Sequence, residues 1–240
     1  MLNQSIIHLW HTKLGDHRKK YQLYQDWLAP DEKIRAQKLA FPYRQNFVIS
    51  RGILRDLLAY YSKQHPKKLK LSYSISGKPL FDKESKVQIE FNLSHSKDIL
   101  ICVFTIGAAV GIDIEYINPL SHIDKIAYRF LSACEYDQLQ LLQGSNKLEV
   151  FFKAWVRNEA LIKAKGDTLQ THLSSRYKLS LKTELSTSIL EQTKINSFYT
   201  ISNLFLYTDF ATAIAVKGNK KPIIINKYSK MMSAVNINFK

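Results

Sequence analysis

Little in this 240-residue chain could staple or ligate through sulfur. It has two cysteines, Cys102 and Cys134, which provide neither a disulfide framework nor the paired spacing of a thiolate metal site. No apolar run reaches the roughly 18 residues that a membrane span requires, and the longest, from Ile99 to Ile112, is interrupted by Gly107. The first ten residues, MLNQSIIHLW, lack a basic segment followed by an apolar one, so a secretory leader is not expected and the cytoplasm is. Acidic residues are also scarce: 20 Asp and Glu face 35 Lys and Arg, a net charge of +15. Such a surface suits an anionic partner, whether nucleic acid, membrane, acidic protein or phosphorylated cofactor. Three familiar ways of using that charge or of doing hydrolysis are missing as well. There is no aromatic-interleaved basic motif of an RNA-binding sheet, no zinc-finger spacing, and no Gly-x-Ser-x-Gly elbow.

The composition, 45% hydrophobic and 23% charged, is that of a folded globular chain of one large or two small domains. Ile6 to Leu14 reads as a first strand. Helical spacing follows from Asp31, a candidate cap, to about Lys63, broken at Pro42. Leu69 to Ile75 reads as a strand, Ser76 to Pro79 as a turn, and Val87 to Phe91 as a short strand in a loop, leading into the polar segment Asn92 to Ser96. Strands are expected at Ile99 to Thr105 and Val110 to Glu115, then helices at Ile123 to Phe130, from Ser132 with Glu135 at capping-box spacing, and from Leu148 to Lys165 ahead of Gly166. Beyond that, Leu179, Leu181, Phe198, Ile201, Leu204, Leu206 and Ala211 to Val216 alternate as strands do, and Ile223 to Lys240 has no clear assignment.

A spacing recurs. Asp98 and Gly107 bracket eight residues of apolar strand, as do Asp209 and Gly218, and each strand lies downstream of a long helix. The fold class expected is α+β, with two similar halves, 1–107 and 108–240, related by pseudo-symmetry.

Three segments carry candidate chemistry. In Gly111-Ile-Asp-Ile-Glu115, strand alternation sends Asp113 and Glu115 to one face and the isoleucines to the other. Two adjacent carboxylates repel unless a cation lies between them, and hard oxygen ligands suit Mg²⁺; a solvated acidic edge is the alternative. In Trp155-Val-Arg-Asn-Glu-Ala-Leu-Ile-Lys163, Trp155, Glu159 and Lys163 form one helical stripe. Glu159 is either a third carboxylate or a general base, with Lys163 neutralising a phosphate, or the two make an ordinary surface ion pair. In Asn92-Leu-Ser-His-Ser96, Ser94 and His95 provide phosphate donors at a strand end, and Lys78, fixed by Pro79, aims an ammonium.

The order of these segments, GKP, FNLSHS, GIDIE and WxxxEAxxK, resembles the 4′-phosphopantetheinyl transferases of the surfactin-synthetase-activating type. The resemblance extends from Ile7-His-Leu-Trp10 to the strands of the second half and includes Arg129-Phe-Leu-Ser132 with Glu135-Tyr136. It implies two α+β halves with coenzyme A in the cleft between them. It further implies that Asp113, Glu115 and Glu159 bind Mg²⁺ with the pyrophosphate of coenzyme A. Ser94, His95, Lys78 and Lys163 would contact the cofactor, and Lys33, Arg35 and Arg51 would lie where the family grips the 3′-phosphate. Catalysis would rest on Glu159 and Lys163, and the partner would be an acidic acyl or peptidyl carrier protein, met by a monomer, without nucleic acid or membrane. One departure stands out: Asn158 replaces the lysine of the family's Trp-x-x-Lys-Glu-Ala. It motivates an alternative in which the same fold binds coenzyme A or a carrier without turnover. A third reading, a basic nucleic-acid-binding protein, would have no need of Asp113.

Overall fold

The computed structural model describes residues 2–81, 88–167, 187–190 and 198–229. The first strand, β1 (Ile7–Lys13), leads through a 3₁₀ turn at Leu14–Lys20 into helices α1 (Tyr21–Trp27), α2 (Pro30–Gln37) and α3 (Tyr43–Ser62). A short hairpin, β2 (Leu71–Tyr73) and β3 (Pro79–Phe81), precedes β4 (Ile89–Ser96), β5 (Ile99–Ile106) and β6 (Val110–Tyr116). Helices α4 (Ile123–Phe130), α5 (Ala133–Gln140) and α6 (Gly144–Lys165) follow, then strands β7 (Thr187–Leu190), β8 (Phe198–Leu204), β9 (Phe210–Lys217) and β10 (Ile223–Lys227).

Two four-stranded sheets result, ordered β10-β1-β5-β4 and β6-β9-β8-β7. Strand β5 is buried on both faces. Leu100, Cys102 and Phe104 pack with Val48, Ile49, Ile53, Leu57 and Leu58 of α3, while Ile99, Ile101 and Val103 meet Val110, Ile112, Ile114, Ile214 and Val216 of the second sheet. This explains why β5 reads as an unbroken apolar run rather than an alternating one. On the outer face of the second sheet, α6 packs over alanines: Ala213 stands opposite Asp113 and Ala215 opposite Gly111. The layers are therefore helix, sheet, sheet, helix, and the two recurrent strands, β5 and β9, each lie inside a sheet, flanked on both sides.

Several expectations need correction. The short strand expected to end at Phe91 continues: Asn92 to Ser96 is the second half of β4, paired with β5 through Ser96 opposite Ile99. Asp31 does not cap α2. Ala29 holds that position with Pro30 first in the helix, and the Glu32 carboxylate accepts from the Ala29 N–H at 2.9 Å. A strand at Pro79–Phe81, helix α1 and the 3₁₀ turn were not anticipated. The helix α6 starts at Gly144, ahead of Leu148, and ends at Gly166 in the left-handed region, φ 75°. The Ser132–Glu135 capping box forms as its spacing predicts. Leu179, Leu181 and Val87 lie outside the described residues.

The segment without assignment contributes β10, which pairs in parallel with β1 and so carries the end of the described chain back to the first sheet. Tyr228, next in sequence, is buried there. Its hydroxyl meets the Asp56 carboxylate and the Tyr24 hydroxyl. Burial, the dominant effect, raises the Asp56 pKa from its ordinary 3.8, and the Tyr228 hydrogen bond opposes it. A carboxyl whose folded pKa is raised favours folding fully below the unfolded pKa and loses that contribution as pH rises through the folded value. Replacement by Asn keeps an acceptor for Tyr228 and removes the titration. Asp56→Asn should therefore gain stability relative to the wild type as pH rises from about 4 to about 7. Urea unfolding of both proteins at the two pH values measures this; an advantage that shrinks as pH rises contradicts it.

Candidate active site

The site forms where the edge strands of the two sheets, β4 and β6, run side by side. They are joined by side chains. Asn92 Oδ1 accepts from the Ile112 N–H at 3.0 Å, Ser94 Oγ donates to Asp113 Oδ1 at 2.7 Å, and Ser96 Oγ donates to Glu115 Oε2 at 3.0 Å. Residues 92, 94 and 96 share one face of β4, the face that meets the second sheet, so a polar alternation inside an apolar strand is what such a seam requires. The intervening His95 points to the opposite face, towards the first helices.

Helix α6 closes on this seam because position 111 is glycine. A Cβ there would collide with the Ala160 carbonyl and the backbone of Ala164. The close approach puts Glu159 and Lys163 over the acidic face of β6. Lys163 Nζ lies 2.5 Å from Asp113 Oδ1 and donates to Ser94 Oγ at 3.1 Å. Asp113 is 2% exposed, which excludes the solvated acidic edge, and its other oxygen, Oδ2, is buried without a hydrogen-bond partner. The bland reading of Lys163 as the surface partner of Glu159 gives way to this contact with Asp113.

The electrostatics follow from crowding. Burial first, then repulsion from Asp113, raises the pKa of Glu115 and also that of Glu159; Lys163 partly offsets both. The imidazole of His95 is held below its ordinary pKa by desolvation and next by Lys163, with Asp113 opposing. Among the described residues no group of three or more His, Cys, Asp and Glu is already placed to hold a metal ion, and Lys163 occupies one Asp113 oxygen. The donor set nevertheless fits a hard divalent cation: three carboxylates within electrostatic reach of one another, and a buried carboxylate oxygen with no proton donor.

Other expected residues fall into three groups. Arg35 and His95 line one groove of about 540 Å³, together with Phe47, Ser50, Ser96 and Lys97. The Arg35 guanidinium stacks on the Phe47 ring, 5.5 Å from its centroid, and Arg51 stacks on the same ring at the same distance. Arg51 itself is 6% exposed and pairs with Glu32 at 3.4 Å, and its Nη1 is buried without a hydrogen-bond partner. Lys33 stands exposed on α2 and is not among the residues lining the groove. Lys78 does not face open solvent. Its Nζ donates to the Lys163 carbonyl at 2.8 Å and the Val110 carbonyl at 3.1 Å, and neighbouring Ser76 donates to the Gly166 carbonyl at 2.9 Å. The hairpin of β2 and β3 thus clasps the last turn of α6, where a cation also favours the helix dipole.

Asn158 is buried and donates to the Ala154 carbonyl at 3.0 Å, within its own helix. Arg157 donates to Asn203 Oδ1 of β8 at 2.8 Å. Trp155 packs edge-on against Phe130 of α4, ring centroids 4.6 Å apart, as a core side chain would. Sequence reasoning gave Asn92 no role and took Ser96 only as part of the polar Ser-His-Ser run; their alternation with Ser94 was the available signal.

Residues 109–215 match the family described as the 4′-phosphopantetheinyl transferase superfamily. Among characterised relatives, the 4′-phosphopantetheinyl transferase HetI of Nostoc sp. is 36% identical over 163 residues, 67% of this chain and 69% of that protein. AcpT, a 4′-phosphopantetheinyl transferase of Escherichia coli K12, is 29% identical over 55% of this chain and 64% of its own. The transferase psf-1 of Bacillus pumilus is 39% identical over 42% of this chain and 41% of its own. The HetI match spans more than two thirds of both proteins, and the matched family segment contains the acidic strand and the helix that covers it: the chain belongs to the 4′-phosphopantetheinyl transferase superfamily and is an enzyme of that class.

Proposed function

We propose that this chain moves the 4′-phosphopantetheine arm of coenzyme A onto a serine of an acyl or peptidyl carrier protein, with Mg²⁺ as cofactor. Within the superfamily we assign it to the surfactin-synthetase-activating type. The observation that carries the reading is the convergence of Asp113 and Glu115 from β6 with Glu159 and Lys163 from α6 at one seam. The serine hydroxyl attacks the β-phosphorus of coenzyme A; the bond from that phosphorus to the bridging oxygen breaks, and 3′,5′-ADP leaves with the oxygen. Glu159, directly or through a water, accepts the serine proton. Lys163 offsets charge growing on the leaving pyrophosphate oxygen. Asp113, Glu115 and Glu159 would hold Mg²⁺, which when bound would supply Lewis-acid neutralisation of the two phosphates. Arg35 and His95 line the groove where a 3′-phosphate would lie; Arg51 stacks on Phe47 of that groove, and Lys33, exposed on α2, would add charge to the same half of the chain. Ser94 and Lys78 act from behind, seating Asp113 and the end of α6.

We read the chain as a monomer of two related halves, 1–107 and 108–240, acting in the cytoplasm. None of its described helices is long and apolar enough to cross a membrane. The alternative of binding without turnover rests on Asn158, which is engaged within α6 while Glu159 and Lys163 are in place. One experiment separates them: an apo carrier protein incubated with this protein, coenzyme A and Mg²⁺ gains the mass of the phosphopantetheine arm, whereas a binding module leaves its mass unchanged. The net charge of +15 predicts a further trait. Raising salt from about 50 mM to about 0.3 M should lower kcat/KM for an acidic carrier severalfold, mainly through KM, since screening slows encounter. A salt-independent kcat/KM would contradict it.

A further inference from the structure

The hydroxyl of Ser96 has a fixed direction. It accepts from the Tyr116 N–H at 3.0 Å, and a hydroxyl carries one proton, which points to Glu115 Oε2 at 3.0 Å. A carboxylate only accepts, so the polarity of this contact has one solution. The backbone around Ser96 is anchored as well. Ser96 pairs with Ile99 across the β4–β5 hairpin, Lys97 occupies the left-handed region at φ 53°, and Asp98 Oδ1 accepts from the Gly15 N–H at 2.9 Å. Lys97 also lays its ammonium over the Tyr116 ring, 5.1 Å from the centroid. The hydroxyl thus sits on a rigid turn and fixes both the backbone of Tyr116 and the side chain of the preceding Glu115.

We propose that Ser96 is a positioning residue: its hydroxyl orients the Glu115 carboxylate towards Asp113 and Glu159 and thereby sets the affinity of the cluster for a divalent cation. This rests on the metal reading above. Partners that orient a metal-binding carboxylate from behind are commonly worth 10- to 100-fold in metal affinity. Ser94 gives Asp113 a comparable hydrogen bond, but Asp113 also has Lys163 to hold it. Glu115 therefore depends more on its serine.

The test is Mn²⁺ binding in the presence of coenzyme A, read by electron paramagnetic resonance on wild type, Asp113→Asn, Ser96→Ala, Ser96→Thr and Ser96→Val, with melting temperatures alongside. Asp113→Asn tests the metal reading itself, and unchanged Mn²⁺ affinity in that variant overturns it. With Asp113→Asn impaired, Ser96→Ala should weaken Mn²⁺ binding about tenfold. Thr and Val match in shape and differ in the hydroxyl, so Thr should keep near-wild-type affinity and Val should lose it. Equal affinity in the Thr and Val variants, or wild-type affinity in Ser96→Ala, overturns the proposal. So does failure of both Ala and Val variants to fold, because Ser96 would then serve the scaffold rather than Glu115.

Discussion

Glu159→Gln should reduce transfer to a carrier protein by at least about 10²-fold in kcat, because a positioned general base contributes roughly 10²–10⁴. The substitution keeps the shape of the side chain and removes a charge that burial and Asp113 already disfavour. Folding should therefore be unharmed, and coenzyme A affinity should change by no more than a few fold. Steady-state rates with an apo carrier, set beside equilibrium binding of coenzyme A, separate the two effects. Full activity in Glu159→Gln would remove the proposed base. A matching collapse of coenzyme A binding would make Glu159 a binding residue instead.

Gly111→Ala should destabilise the chain and also disable it. The added methyl group meets the Ala160 carbonyl and the Ala164 backbone, which cannot rotate away as a flexible side chain could, so α6 must lift off β6. Overpacking typically costs about 1–3 kcal/mol, and a backbone collision belongs at the upper end. At about 2–4 °C per kcal/mol for a chain of this size, the melting temperature should fall by roughly 6–12 °C. Helix α6 carries Glu159 and Lys163, and Lys163 reaches Asp113 over this same gap. Folded Gly111→Ala should therefore also lose transfer well below its melting point. A variant with wild-type stability and rate would mean that the close approach of α6 to β6 is unimportant.

The parts of the site visible in the sequence were those set by local periodicity. Alternation alone placed Asp113 and Glu115 opposite Ile112 and Ile114, and helical spacing placed Glu159 with Lys163. Local chemistry also sufficed for the α5 capping box and for Gly166. The errors arose where long-range pairing decides. The short strand was ended at Phe91 because the polar residues after it suggest solvent, yet Asn92, Ser94 and Ser96 face the edge of a second sheet, whose position no local pattern reveals. Strand β10 had no assignment because its partner among the described residues, β1, is more than 200 residues away. The resemblance put Arg51 where the family grips a phosphate, and no local pattern showed that it is buried on α3 with Glu32 as its partner. Lys78 stood out in the sequence for the rigid turn before Pro79, but its contact with the Lys163 carbonyl of α6 required the tertiary structure.

The most direct measurement is a crystal grown with coenzyme A and Mn²⁺, with data collected at the manganese absorption edge. The anomalous peak should lie among the carboxylates of Asp113, Glu115 and Glu159, with pyrophosphate oxygens completing the coordination and Lys163 moved from Asp113 towards a phosphate. A metal bound elsewhere on the chain, or coenzyme A seated with its pyrophosphate remote from Asp113, would contradict the whole scheme.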